Sequence, residues 1–572
     1  MKQRTLILVF LALLSLACNG VKEEKADLIL TNGVIYTVDS DQPWAEAMAI
    51  RGDRILKLGD ASDVIALADK EHTQVIDLGG KFVMPGFIEG HGHFSGLGQS
   101  LLNLNFMQVK SWDEIVQMVA EKAKTAKPGE WIIGRGWHQE KWTTPLDKNV
   151  LGYPYHDALS AAAPNNPVML SHASGHSLFA NAKAMELAGV SAETPNPSGG
   201  EIVRDSRGNA IGVFEERAMG IIRSAYQDYL GTLSVEDRNA TWLKGIEKAE
   251  AECLKKGVTS FQDAGASFEE LDRYRSLAES GKLDLRLWAM IRHSYADMKG
   301  KLSGFPWLNI GNHFLTVRGI KSELDGALGS FGAWLLAPYA DKKDFVGQNT
   351  TEVSEVANIA SLAIEHGLQL CVHTIGDRAN REALNVFEQE FLKHPEQKDL
   401  RWRLEHAQHL DPADIPRFKQ LGVIASMQAI HCTSDAPFVV KRLGVERARL
   451  GAYPWRSLLD AGAVVTNGTD VPVEDVNPIA SYYAMVTRKR APSENAFFPE
   501  QALKREEALY AYTMACAYAA FEEKEKGSLR PGKFADVVVL SNNILNCPES
   551  NIPDTEVLLT MVGGKIKYQK KE

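Results

Sequence analysis

Between residues 87 and 470 the chain sets out eight short apolar segments, most of them ending in polar or ionisable residues. They are FIEGHGHF (87–94), GVTSFQDAG (257–265), LRLWAMIR (285–292) and VRGIKSELDG (317–326), then LQLCVHTIG (368–376), RWRLEHAQ (401–408), GVIASMQAIH (422–431) and AVVTNGTD (463–470). Several are separated by stretches such as VSEVANIASLAIEHG and NREALNVFEQEFLK, whose apolar residues recur at the three- and four-residue spacing of a helix. Strands alternating with helices favour a parallel sheet. Eight such units in order predict an α/β fold, a TIM-type (β/α)8 barrel over residues 83–525. One long insertion, about 97–240, separates the first strand from the second and carries WIIGRGWHQEKW and the loop-like TPNPSGGEIVRDSRG.

Both ends of the chain have a different texture. Residues 27–82 alternate short apolar runs with turn signals, and Asn32-Gly33 and Gly52-Asp53 stand where hairpins need positive φ. This stretch reads as a small antiparallel sheet. The segment LRPGKFADVVVLSNN and the hairpin-like EVLLTMVGGKIKYQ, turning at Gly563-Gly564, repeat the pattern. Residues 27–82 and 526–572 are therefore expected to form one composite β-sandwich.

The extreme N-terminus is read separately. Lys2 and Arg4 precede the apolar run Leu6–Leu14, and Ser15-Leu16-Ala17-Cys18 follows it. A basic start, a short apolar run and small residues describe a secretory signal over residues 1–17. The run is too short to span a bilayer. Cys18 directly after the small residues makes a lipobox-like site, although Ser15 stands where Leu is commonest. A lipidated Cys18 and a polar tether over 18–26 would hold the protein on a bacterial envelope, facing the periplasm or the exterior. An ordinary secreted protein with an incidental Cys18 is the alternative. Hydrophobic residues at 45% and charged residues at 24% argue against a disordered or multi-span membrane chain. A net charge of −10 lacks the basic footprint of a nucleic-acid partner. The six cysteines have no close pairs, so neither a disulfide framework nor a CxxC zinc site is readable.

The chemistry lies at the strand ends, where a barrel of this type places its active site. His91 and His93 stand two apart on the first strand, so both imidazoles project from one face. His373, His406 and Asp470 end the fifth, sixth and eighth strands. A single histidine is more often structural, but five such groups at successive strand ends point to a metal site. Lys321 lies in the fourth strand among them, and a lysine desolvated beside cations is driven toward its neutral amine. That amine can add carbon dioxide to form a carbamate whose two oxygens bridge two metals. An ion pair with Glu323 or Asp325 is the alternative. His431, at the end of the seventh strand, is a candidate to touch substrate. His172 and His176 in the insertion are candidates to close over the pocket, and Trp137, His138 and Trp142 to form an apolar wall.

The segments PGFIEGHGH (85–93), HTIGDRAN (373–380), RLEHAQ (403–408), NGTDVPVED (467–475) and LRPGKFADVVVL (529–540) resemble the metal-dependent amidohydrolase superfamily. The nearest branch is the YtcJ-like group that includes N-substituted formamide deformylases. The insertion resembles that branch too, in GRGWHQEKW (134–142), SHASGHS (171–177), NAKAMELAGV (181–190) and PSGGEIVRDSRGNAIGVFEE (197–216). The resemblance implies that His91, His93 and Asp470 ligate the more buried metal, that His373 and His406 hold a second, and that carboxylated Lys321 bridges them. It implies hydrolysis of an amide- or formamide-type C–N bond of a small molecule by a metal-bridging hydroxide, with Asp470 as general acid and base. Zinc is the default ion, with iron, manganese or nickel as alternatives. The chain departs from the pattern at Glu89, where Asp is frequent, at Ala429-Ile430-His431, where PxH is common, and at Gly468-Thr469-Asp470, where GSD is usual. Two other readings stand beside this one: a mononuclear deaminase of the same superfamily, and a non-catalytic extracellular binding lipoprotein.

Overall fold

A computed structural model describes residues 24–139, 142–172 and 177–571. The signal segment, Cys18 and His176 lie outside the described residues.

Eight strands pair in parallel and in chain order: β1 (Phe87–Gly92), β2 (Val258–Ala266), β3 (Arg286–Ile291), β4 (Leu315–Glu323), β5 (Gln369–Thr374), β6 (Arg403–His406), β7 (Ile424–Met427) and β8 (Val464–Asn467). They form a near-closed barrel. Its seam is drawn together just beyond β8, where Asp470 N donates to His91 O at 2.8 Å and His93 N donates to Val471 O at 2.7 Å. Strands such as β1, β3 and β7 are buried along their whole length, as expected when helices cover a parallel sheet. Helix α1 (Val353–His366) buries its periodic apolar face and stops at Gly367, whose φ of 64° suits glycine. Helix α2 (Asp377–Lys393) starts a few residues before its apolar pattern.

Two boundaries at the site differ from the sequence reading. Strand β8 ends at Asn467, so Asp470 lies in the turn beyond the strand and not at its end. Strand β7 ends at Met427, and helix α3 (Ala429–Leu443) follows at once. His431 is thus carried on the first turn of that helix, not on the strand. Its N-terminus has no side-chain cap at Gln428, so the usual helix-start signal is missing.

The two chain ends share two sheets around one core. The first contains Leu28–Thr31, Ala47–Arg51, Arg54–Gly59 and Gln74–Asp77; the second combines Trp44–Ala45, Val34–Tyr36 and Phe82–Pro85 with Val537–Leu540, Val557–Val562 and Lys565–Gln569. Leu30, Ile35, Met48 and Val83 from one end pack with Val537, Val539 and Met561 from the other. Gly52-Asp53 and Gly563-Gly564 turn hairpins as expected. Asn32-Gly33 does not. Asn32 has the positive φ of 54°, but it passes the chain from the first sheet to the second. The expectation of a purely antiparallel sheet is corrected as well, because Leu28–Thr31 pairs in parallel with Gln74–Asp77, and Val34–Tyr36 with Phe82–Pro85. A local φ signal specifies a reversal, while the partner is chosen by which apolar face must be buried.

Residues Phe94–Ala249 form a separate compact unit. Its six-stranded sheet packs over a core that includes Ile115, Ile132, Trp137, Leu170 and Phe179. Among the described residues no helix is long and apolar enough to cross a membrane.

Candidate metal centre

His91 lies in β1 and His93 directly after its end, with ring centroids 5.7 Å apart. Their Nε2 atoms lie 3.5 and 3.2 Å from one oxygen, Asp470 Oδ1. Asp470 reaches that point because the chain turns sharply after β8, with φ of 58° at Asp470 itself. His406, at the end of β6, has φ of 74°. Left-handed backbone at non-glycine residues persists only where the surroundings enforce it, and such strain gathers at functional sites. The His406 ring centroid is 4.7 Å from that of His91, 4.4 Å from His373 and 6.2 Å from His431. His431 Nε2 stands 3.9 Å from Asp470 Oδ2.

Two groups among the described residues have ligand atoms within 4.8 Å of one another: His91, His93 and Asp470, and His406, His431 and Asp470. Asp470 belongs to both. His373 falls outside these groups; its Nε2 lies 3.8 Å from Asp325 Oδ1, although its ring packs against His406. The buried atoms His91 Nε2, His373 Nε2 and His431 Nε2 have no hydrogen-bond partner among the described residues, and Asp470 Oδ1 is met by His93 Nε2 at 3.2 Å. Unpaired buried polar atoms are costly unless a ligand takes them. A divalent cation fits this imidazole and carboxylate donor set.

The ring atoms turned away from the centre are held by partners that the sequence reading did not identify. His91 Nδ1 contacts the fully buried Glu405 carboxylate, which accepts only, so His91 carries its proton there and offers Nε2 as a lone pair. His406 Nδ1 donates to Gln428 Oε1 at 2.7 Å, with the same consequence. Gln408 Nε2 donates to His431 Nδ1 at 3.1 Å. Glu405 is held in turn by Arg403, whose Nε lies 2.7 Å from Glu405 Oε1 and whose other nitrogens donate to Gln262 Oε1 (2.6 Å), Gly90 O (2.8 Å) and Ser426 Oγ (2.7 Å). The signal for this pair was available. Arg403 and Glu405 stand at i and i+2 around Leu404 in a strand buried at every position, so the two charges must be buried together.

Protonation follows from these contacts. Burial, with the Lys321 charge, pushes His91 down to about 4, and the same two causes push His373 down to about 3. Burial and the neighbouring His373 and His91 hold His406 well below its ordinary value. These imidazoles are neutral near pH 7 and able to bind metal. Burial opposes ionisation of Asp470, but the hydrogen bond from His93 and the adjacent histidines keep it ionised. Burial pushes Glu89 up to about 8. Lys321 is 3% exposed on β4, and burial drives its ammonium down against the pull of Glu405 and Asp470. Neither carboxylate of the alternative ion pair meets it. Glu323 pairs with Arg292 at 2.6 Å, and Asp325 accepts the backbone N–H groups of Trp334, Ile375 and Gly376 at 2.8–2.9 Å.

The insertion residues have their own setting. Trp137 is fully buried in that unit, donates Nε1–H to Leu170 O at 2.8 Å and meets His172 edge-on at 4.6 Å. His138 packs against His172 at 4.6 Å, and Trp142 borders the same cluster.

The amidohydrolase family model matches residues 74–568. Over 561 residues the chain is 34% identical to protein LONG AFTER FAR-RED 3 of Arabidopsis thaliana, covering 95% of this chain and 92% of that one. It is 30% identical to YtcJ of Bacillus subtilis (strain 168), over 94% and 98% of the two chains. It is 28% identical to the N-substituted formamide deformylase of Arthrobacter pascens, over 95% and 98%. A crystal structure described as an uncharacterized metal-dependent hydrolase from Pyrococcus furiosus superposes with a TM-score of 0.72 at 28% identity, covering 91% of this chain and all of that one.

Proposed function

The chain belongs to the amidohydrolase family of metal-dependent hydrolases, and we propose that it cleaves a C–N bond of a small-molecule amide, of the formamide type, at the centre around Asp470. The observation that carries this reading is one buried carboxylate, Asp470, set within ligand distance of His91, His93 and His406. In the proposal His91, His93 and Asp470 would hold one divalent ion, His373 and His406 would hold a second, and Lys321, as a carbamate, would add ligand oxygens. Lys321 supports the bridge by being buried while Glu323 and Asp325 are engaged elsewhere. Zinc is the proposed ion. Bound there, it would lower the pKa of a water and polarise the substrate carbonyl.

The chain's own residues supply the proton steps. Asp470 is ionised, with only imidazoles beside its carboxylate, so it can accept a proton from water and return it to the leaving nitrogen. Glu405 and Gln428 hold the His91 and His406 rings, with their Nε2 atoms as lone pairs. His431 accepts from Gln408 at Nδ1, which leaves its Nε2–H to donate to a substrate oxygen. The deformylase of Arthrobacter pascens suggests where to look for substrates. Purified protein is expected to release amine from one of a panel of N-formyl and N-acyl amines and amino acids, and to stop when a chelator removes its metal. Turnover confined to amidine or aminopurine deamination would instead support the deaminase.

The proposal includes lipid attachment at Cys18 on the bacterial envelope, with one acyl-bearing residue making an attached and not a spanning protein. Cys18→Ala should leave the membrane fraction with intrinsic activity unchanged. Native protein free of lipid by mass spectrometry would reject the anchor.

A further inference from the structure

Glu89 is the acid that stands where the resemblance leads one to expect Asp. It lies in mid-β1, fully buried, two residues before His91. Its Oε1 accepts the backbone N–H of Thr469, and its Oε2 meets no partner among the described residues. Thr469 is fully buried and immediately precedes Asp470. The N–H of Thr469 therefore has no water to turn to if Glu89 withdraws.

The surroundings leave little slack. A Cβ placed on Gly468 would come within 2.6 Å of His91 N and 2.7 Å of Glu89 Oε1, and one on Gly90 within 2.4 Å of Asn467 O. The seam between β1 and β8 thus closes backbone against backbone, with glycine at the points of approach. Through it the chain enters the left-handed turn at Asp470 that aims the shared carboxylate at His91 and His93.

We propose that Glu89 is a positioning residue: its side chain spans the seam to hold Thr469 N–H and so fixes the turn that presents Asp470. What the seam needs is an acceptor oxygen at the reach of a glutamate side chain; the negative charge is not the requirement. This rests on the reading of Asp470 given above.

The test compares Glu89→Gln, Glu89→Asp and Glu89→Leu in the full-length protein as purified. Three quantities are measured: amide hydrogen exchange over residues 466–472, bound metal, and kcat and KM. Gln keeps the acceptor and the length, so exchange, metal content and kcat should stay within about threefold of the parent. Asp keeps the charge but falls short by one methylene, and Leu removes the acceptor. Both should exchange at least about tenfold faster in that segment, the scale set by losing one buried hydrogen bond. Both should lose metal and kcat with KM little changed. Should Leu not fold, the contrast of Gln with Asp decides alone. Gln as damaging as Asp or Leu would overturn the proposal, because charge would then be what matters. Exchange unaltered in Asp or Leu would overturn it too. A parent protein with no metal and no turnover would defeat the functional reading, yet the exchange contrast would still judge Glu89.

Discussion

Glu405 offers the most searching perturbation, because it connects the barrel interior to the centre. Glu405→Gln preserves shape and one acceptor oxygen but removes the charge between Arg403 and His91. At the 2.7 Å separation of Arg403 Nε and Glu405 Oε1, two unit charges attract by about 6 kcal/mol at an effective dielectric of about 20. Desolvation has already consumed part of that. Breaking a buried pair by altering one partner typically costs about 3–5 kcal/mol, since the other charge is left behind. Arg403 keeps three neutral acceptors, in Gln262, Gly90 and Ser426, which puts the expected loss near the lower figure, about 3 kcal/mol. His91 would also lose the carboxylate that fixes its tautomer, an effect worth roughly 10–100-fold in metal affinity. Competition with a chromophoric chelator reads the affinity, and thermal unfolding followed with and without metal reads the stability. A variant that binds metal like the parent and melts at the same temperature would refute the claim that the Arg403–Glu405–His91 chain supports the centre.

Asp470→Asn keeps the side-chain shape but cannot accept a proton, so kcat should fall by about 10²–10⁴ with KM changed far less; Asp475→Asn, at an exposed residue paired with Lys256, is the control and should be near normal. Retained turnover in the former and loss in the latter would dismiss the assignment. Lys321→Ala should lose at least one metal, with partial rescue by added short-chain carboxylates; full metal content and activity in that variant would reject the bridge. The metal-free protein should lose stability as pH falls below about 6.5. Its buried histidines, at about 4 for His91 and about 3 for His373, bind fewer protons folded than unfolded in that range. Their contribution is complete above the unfolded value and disappears through the folded ones, so a flat stability profile between pH 7 and 4 would contradict their neutral burial.

Much of the architecture was legible because a parallel barrel converts sequence order into spatial order. Once eight strand segments are recognised, their C-terminal ends must meet. His91, His93, His373, His406 and Asp470 come together although 379 positions separate the first from the last. The supporting residues were harder to see. Glu405 meets His91 across 314 positions, and Glu89 meets Thr469 across 380, and no local pattern marks either pairing. Gln428 and Gln408 read as ordinary polar residues near strand ends. The turn at Asn32 shows the complementary limit, since positive φ is a property of one residue and strand pairing is a property of the whole core. His431 moved from strand to helix because Ala429 and Ile430 suit either state, and tertiary packing chose between them.

The central claim is that the side chains around Asp470 form a centre for two divalent ions. Metal analysis of the purified full-length protein by inductively coupled plasma mass spectrometry, beside a variant with His91 and His406 both replaced by Ala, tests it most directly. The account predicts about two ions per parent chain, zinc foremost, and near-complete loss in the folded double variant. A parent chain without bound metal whose amide hydrolysis survives chelation, or a double variant that keeps its full complement, would contradict it.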